Sequence, residues 1–174
     1  MIKIIVGTNR KNSVSKVVAL LYQEILRERG AESEILELEH LPADFIETAL
    51  YENNGRNEGY NAFHSKVKSG TKFVFVVPEY NGSFPGILKT FIDGMTYPNT
   101  FRNKKCALVG ISSGIGGGGI ALSHLTDIFH YLGMNVLALK PKLAKIEQNM
   151  SDNLLTNRLY LDLLHTQADM LLEF

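Results

Sequence analysis

Apolar residues along this chain fall into short solid blocks separated by stretches of helical period. Ile2, Ile4, Ile5 and Val6 form one block, ended by Gly7. Phe73, Val74, Phe75, Val76 and Val77 form another, and residues 105–111, from Lys105 through Leu108 to Ile111, a third. Runs of this kind, rich in β-branched and aromatic residues, predict strands, and residues 73–77 predict a central strand buried on both faces of a parallel sheet. Residues 33–38 alternate polar and apolar positions, which suits a strand nearer the edge, and residues 135–139 supply a last strand before Pro141. Between these blocks the period changes. Val14, Val17, Val18, Leu21 and Ile25 share one helical face that begins near Ser13 and stops at Gly30. Residues 60–67 predict a second helix, and Ile87, Leu88, Phe91 and Ile92 a third behind Pro85. Ala121, Leu122, Leu125, Ile128, Phe129 and Leu132 predict a fourth, closed by Gly133. Leu154, Leu155, Leu159, Leu163 and Leu164 predict a last one capped by Ser151 or Asp152. Residues 40–61 show no clear period and predict a long connection with a short helix at 45–51. Strands alternating with helices imply an α/β fold: a five-stranded parallel sheet with helices on both faces and right-handed crossovers.

Composition narrows the reading without changing it. With 174 residues, 45% of them apolar, the chain has the size and core of a single domain spanning 1–174. Lysine plus arginine and aspartate plus glutamate number 18 each, so no overall field draws the chain to nucleic acid or to anionic lipid. A bound anion must therefore be held by a local site. The lone cysteine, Cys106, precludes an intramolecular disulfide framework. No apolar run approaches the ~20 residues needed to cross a bilayer. The expectation is a soluble, cytoplasmic protein.

In a parallel sheet, ligands bind beyond the carboxyl ends of the strands. Three loops stand there. The first carries a glycine turn at Gly7, hydroxyls at Thr8, Ser13 and Ser15, and the cation Arg10, all at a helix N-terminus, where free N–H groups and the helix dipole favour a phosphate monoester. It lacks both GxxxxGK[ST] and GxGxxG, which argues against a nucleoside triphosphatase and a dinucleotide turn. The second, residues 78–83, offers main-chain groups and Tyr80, a flat amphipathic ring able to stack on a planar heterocycle. The third contains four consecutive glycines, Gly116 to Gly119, over which a ring could lie close to the main chain. Each loop alone has a plain structural explanation as a cap, a turn or a flexible link. Together they describe a planar ring joined through a spacer to one phosphate, which is the shape of FMN. The five histidines show no tight metal-ligand spacing, and no metal is expected.

The residues of these loops resemble the NAD(P)H-dependent FMN reductase family, whose members include quinone, chromate and azo-dye reductases. The family's first loop, G-S-x-R-x-x-S, is matched by Gly7, Thr8, Arg10 and Ser13. Its second, P-E-Y-N-x-S-x-P-G-x-L-K, is followed from Pro78 to Lys89, and its third, a serine followed by glycines, by Ser113, Gly114, Gly116 and Gly117. The resemblance implies a flavodoxin-like three-layer sandwich with strand order 2-1-3-4-5. It places Thr8, Arg10, Ser13, Val14 and Ser15 at the phosphate of FMN. Pro78, Glu79, Tyr80, Asn81 and Gly82, with Ser113, Gly114, Gly116 and Gly117, would lie against the rest of the cofactor. It also implies NADPH or NADH as co-substrate, a small-molecule electron acceptor, and a homodimer or homotetramer. Thr8 stands where serine is usual but keeps the hydroxyl. Thr90, Phe91 and Gly94 depart from the Asn-Ala and Trp often found there, which touches oligomer contacts and substrate preference more than flavin binding. No side chain is required as a nucleophile, because the redox chemistry belongs to the cofactor. The alternative is a non-enzymatic, flavodoxin-like electron carrier.

Overall fold

The computed structural model describes residues 1–97 and 99–174. Its centre is a parallel sheet built from β1 (Ile2–Val6), β2 (Ser33–Glu37), β3 (Lys72–Pro78), β4 (Lys105–Ile111) and β5 (Asn135–Val136), in the spatial order β2-β1-β3-β4-β5. That order is the expected 2-1-3-4-5, with β1 and β3 adjacent at the point where the winding reverses. Side chains alternate through the central strands. Phe73, Phe75 and Val77 of β3 enter one apolar core, and Val74 and Val76 enter the other. Helices α3 (Glu58–Lys68), α4 (Gly86–Asp93) and α5 (Gly119–Tyr131) cover the first face; α1 (Val14–Glu28) and α6 (Arg158–Glu173) cover the second. The short α2 (Phe45–Thr48) lies in the long connection, where Phe45 is buried and stacks on Tyr60 with ring centroids 5.5 Å apart.

Helix boundaries follow local chemistry. Ser13 caps α1, its hydroxyl accepting from the Lys16 N–H, and Gly30 past the helix end takes φ +72°. Asn57 and Asn157 cap α3 and α6 in the same way, accepting from the N–H groups of Tyr60 and Tyr160.

Two segments differ from the sequence expectation. The last strand is interrupted: β5 ends at Val136, the chain leaves the sheet, and β6 (Lys142–Leu143) returns to pair with Gly110 and Ile111 of β4. Sheet hydrogen bonding is replaced across the gap, with the Leu137 N–H on Cys106, Pro141 accepting from the Gly110 N–H, and Leu139 accepting from the buried Gln167 amide. The second difference is at the C-terminal helix, which begins at Arg158 rather than near residue 151. Asp152 and Asn153 take φ of 48° and 59° and turn β7 (Met150–Ser151) back onto β8 (Leu154–Leu155). Positive φ at both central residues is the two-residue hairpin geometry, so the acidic and amide pair makes a turn instead of a helix cap.

The sheet register positions the site. Val6 sits opposite Val76, and Val76 opposite Val109, so the carboxyl ends of β1, β3 and β4 finish within two residues of one another on the same edge. The loops that follow them therefore open side by side.

Candidate functional site

At that edge lies a cleft of about 530 Å³, within the size range of pockets that take cofactors. Its walls come from the first loop (Thr8 to Ser15), from Pro78, Glu79, Tyr80 and Asn81, from Ile111, Ser112 and Ser113, and from Ile146 and Glu147. Of the residues singled out from sequence, Thr8, Arg10, Ser13, Val14, Ser15, Pro78, Glu79, Tyr80, Asn81 and Ser113 share this one cavity. Gly82, Gly114, Gly116 and Gly117 do not line it.

The first loop meets the requirements of a phosphate cradle. Gly7 donates to Val76 O at 2.9 Å, and a Cβ there would stand 3.0 Å from that same oxygen, so the turn out of β1 packs main chain on main chain. Beyond it, the N–H groups of Val14 and Ser15 in the first turn of α1 have no partner among the described residues. Arg10 and Lys11 are exposed and form no ion pair among the described residues, while Thr8, Ser13 and Ser15 are buried hydroxyls facing the cleft. Donors without acceptors, beside unpaired cations, fit an oxyanion that can accept from all of them. A phosphomonoester tail suits this donor set.

The second loop is braced by its own backbone. Asn81 and Gly82 take φ of 51° and 74°, and Tyr80 and Ser83 exchange two main-chain hydrogen bonds of 2.7 and 3.1 Å across them. This is the Asn-Gly two-residue turn. It is pinned to β4 by the Glu79 N–H on Ile111 O at 2.8 Å and to α5 by Ser83 Oγ, 2.9 Å from His124 Nδ1. Tyr80 sets its hydroxyl 3.0 Å from Thr8 Oγ1, across the gap between the first and second loops.

In the third loop, glycine serves packing. A Cβ on Gly110 would lie 2.3 Å from Gly117 O, and one on Gly117 would lie 2.7 Å from the main chain of Lys142; Gly117 also has φ +55°. The run thus lets the start of α5 press against β4 and β6. Gly110→Ala should cost about 1–3 kcal/mol by overpacking, read as a lowered midpoint in urea denaturation with an unchanged slope; an unaltered midpoint would show that the contact yields freely.

Ser112, Ile146 and Glu147 line the cleft and were not expected from the sequence. No motif marks the last two. They arrive because β6 pairs with β4, after which the Ile146 N–H binds Ser112 O at 3.1 Å and the Lys145 N–H binds Gly114 O at 2.9 Å. Ser113 donates to Glu147 Oε1 at 2.6 Å, and this bond holds the Glu147 carboxyl below its ordinary range.

Comparison with known proteins decides the family. The model of the NADPH-dependent FMN reductase family matches residues 1–144. This chain belongs to the NADPH-dependent FMN reductase family. Relatives of this FMN reductase include the NAD(P)H:quinone oxidoreductase of Solanum tuberosum, 32% identical over 134 residues that cover 75% of this chain and 68% of that protein. The 2-hydroxy-1,4-benzoquinone reductase of a Burkholderia species is 29% identical over 152 residues, covering 82% and 76%. Among solved structures, the flavoenzyme NAD(P)H:(acceptor) oxidoreductase FerB of Paracoccus denitrificans superimposes with a TM-score of 0.78 at 21% identity, over 99% of this chain and 94% of that one, a likeness of fold. The protein is an oxidoreductase of the flavodoxin-like class that uses FMN and NAD(P)H.

Proposed function

We propose that this FMN reductase holds FMN in the cleft at the ends of β1, β3 and β4 and reduces a small, uncharged acceptor of the quinone type. The carrying observation is the convergence, in one cavity, of three hydroxyl residues, two cations and two helix N–H groups, the cations and N–H groups without a partner among the described residues, with residues 78–81. Thr8, Arg10, Ser13 and Ser15, with the N–H groups of Val14 and Ser15, would hold the phosphate. Pro78, Glu79, Tyr80, Asn81, Ser113 and the glycines Gly82, Gly114, Gly116 and Gly117 belong to the loops that would border the remainder of the cofactor. The chemistry that FMN supplies when bound is hydride acceptance from a nicotinamide and electron delivery to an acceptor. The protein's own part is to bind, orient and tune. No side chain is assigned to attack a substrate. The quinone preference is supported by the names of the curated relatives.

An anaerobic titration of the FMN-loaded protein with NADPH, followed by benzoquinone, tests this reading. Bleaching of the flavin by NADPH and its recovery on adding the quinone is the expected result. A flavin spectrum that persists with negligible NADPH consumption would instead mark an electron carrier.

The same reading includes a cytoplasmic homodimer or homotetramer. The lone thiol, Cys106, is buried, as suits a reducing compartment. Between α4 and α5 an apolar hollow of about 470 Å³ is lined by Ile92, Met95, Tyr97, Ile128 and Tyr131, among others, and the rings of Tyr97 and Tyr131 lie largely exposed, 6.2 Å apart. Exposed aromatic surface of this kind is usual at interfaces. Light scattering should give a mass of two or four chains, and Tyr131→Glu should shift it toward one; a single-chain mass for the parent protein would end this part of the proposal.

A further inference from the structure

Tyr80 carries a role that its position in the second loop does not announce. Its hydroxyl and that of Thr8 stand 3.0 Å apart, and both residues line the cleft. Thr8 Oγ1 also accepts from the Arg10 N–H at 3.2 Å. Neither hydroxyl has a further protein partner among the described residues. Counting protons then leaves one result whichever way the bond runs. If the phenol donates to Thr8, the two acceptor positions of Oγ1 are filled and the Thr8 hydrogen is unspent. If Thr8 donates to the phenol, the phenol hydrogen is unspent. One hydroxyl hydrogen of the pair therefore remains to be accepted from the cleft side, beside Arg10, Ser13 and Ser15.

We infer that Tyr80 is a positioning residue for the phosphate end of the cofactor, acting with Thr8 as a shared hydroxyl donor that bridges the first and second loops. This rests on the reading of the cleft as an FMN site. A phosphomonoester dianion has only acceptors, so it complements a pair that always retains one donor. The pair is also preorganised. The Asn81-Gly82 turn fixes the Tyr80 backbone, Glu79 ties the turn to β4, and Ser83 ties it to His124 on α5. The phenol is thereby held before any ligand arrives, so little side-chain freedom remains to be lost on binding. Tyr80 would thus report on the tail of the cofactor and not on its ring, in contrast to the stacking role that an exposed tyrosine in such a loop suggests.

The test is Tyr80→Phe, which keeps the ring and removes the hydroxyl, with Thr8→Val beside it. FMN dissociation constants, the visible spectrum of bound flavin and the ³¹P resonance of the bound phosphate are measured on the full chain, with thermal melting as a check on folding. Tyr80→Phe is expected to raise the FMN dissociation constant about tenfold, the effect of one hydrogen bond to a charged group. It should also move the ³¹P resonance and leave the visible spectrum as in the parent. Riboflavin, which has no phosphate, should bind both proteins alike. Thr8→Val should show the same phosphate-selective loss, and the double variant should lose less than the two single changes combined, because either one breaks the pair. A spectrum that changes while the FMN dissociation constant and ³¹P resonance stay at parental values would place Tyr80 at the ring and overturn the inference. Equal weakening of FMN and riboflavin would do the same. Failure of the parent protein to bind FMN at all would overturn the cleft assignment itself, and this inference with it.

Discussion

Phe129→Ala should lower the free energy of unfolding by about 3–5 kcal/mol. Phe129 projects from α5 into the core, fully buried, with its ring centroid 4.6 Å from Phe75 on β3 and 5.9 Å from Phe101. Phe101 in turn meets Phe73 edge-on at 5.8 Å, so four aromatic rings form one packed group between the sheet and its first helical face. Truncation removes the apolar contact and leaves a cavity walled by the packed rings of Phe75 and Phe101, which close-packed neighbours let collapse only in part. For a chain of this length the melting temperature should fall by roughly 6–20 °C. Thermal and urea denaturation monitored together would check it, and a loss below about 1 kcal/mol would show that neighbouring side chains refill the space. The change also reaches the site: α5 carries His124, the partner of Ser83 beneath the Tyr80 turn.

Arg10→Ala should weaken FMN binding by ~1.5–3 kcal/mol, the worth of a hydrogen bond to a charged group. Arg10 is exposed and lines the cleft beside the Val14 and Ser15 N–H groups of α1; neither its guanidinium nor those N–H groups has a partner among the described residues. Because the interaction is between exposed charges, the difference between parent and variant should shrink as salt is raised from low ionic strength to well above physiological. Fluorescence quenching of FMN on binding provides the measurement. An affinity equal to the parent's at low salt would remove Arg10 from the phosphate site, while a loss shared equally with riboflavin would point to a structural effect of the substitution.

Much of the site was legible because its signals are local. The N-cap at Ser13, the Asn81-Gly82 turn and the motif that runs from Pro78 to Lys89 depend on neighbours a few residues away, and each recurs in the structure where the sequence placed it. The Gly116 to Gly119 run was legible as glycine but not as packing. Its close approach to Gly110 and Lys142 involves β4 and β6, and no period in the run itself encodes either neighbour. The turn at Asp152 and Asn153 shows how a local signal misleads: both residue types cap helices and both tolerate positive φ, and the leucines that follow fit a strand as well as a helix over so short a stretch.

Hydrophobic period by itself determined the alternation of strands and helices, the burial of β3 on both faces and hence the parallel three-layer sheet, since the apolar surface of each element must be covered by its neighbours. Tertiary structure alone decided which groups meet: the interrupted last strand whose return brings Ile146 and Glu147 into the cleft, and the Tyr80 hydroxyl set against Thr8, 72 positions away. The physical reason is range. Backbone conformation and capping are settled within a turn or two of chain, whereas strand register and the gap between two loops are fixed by the packing of the whole sheet.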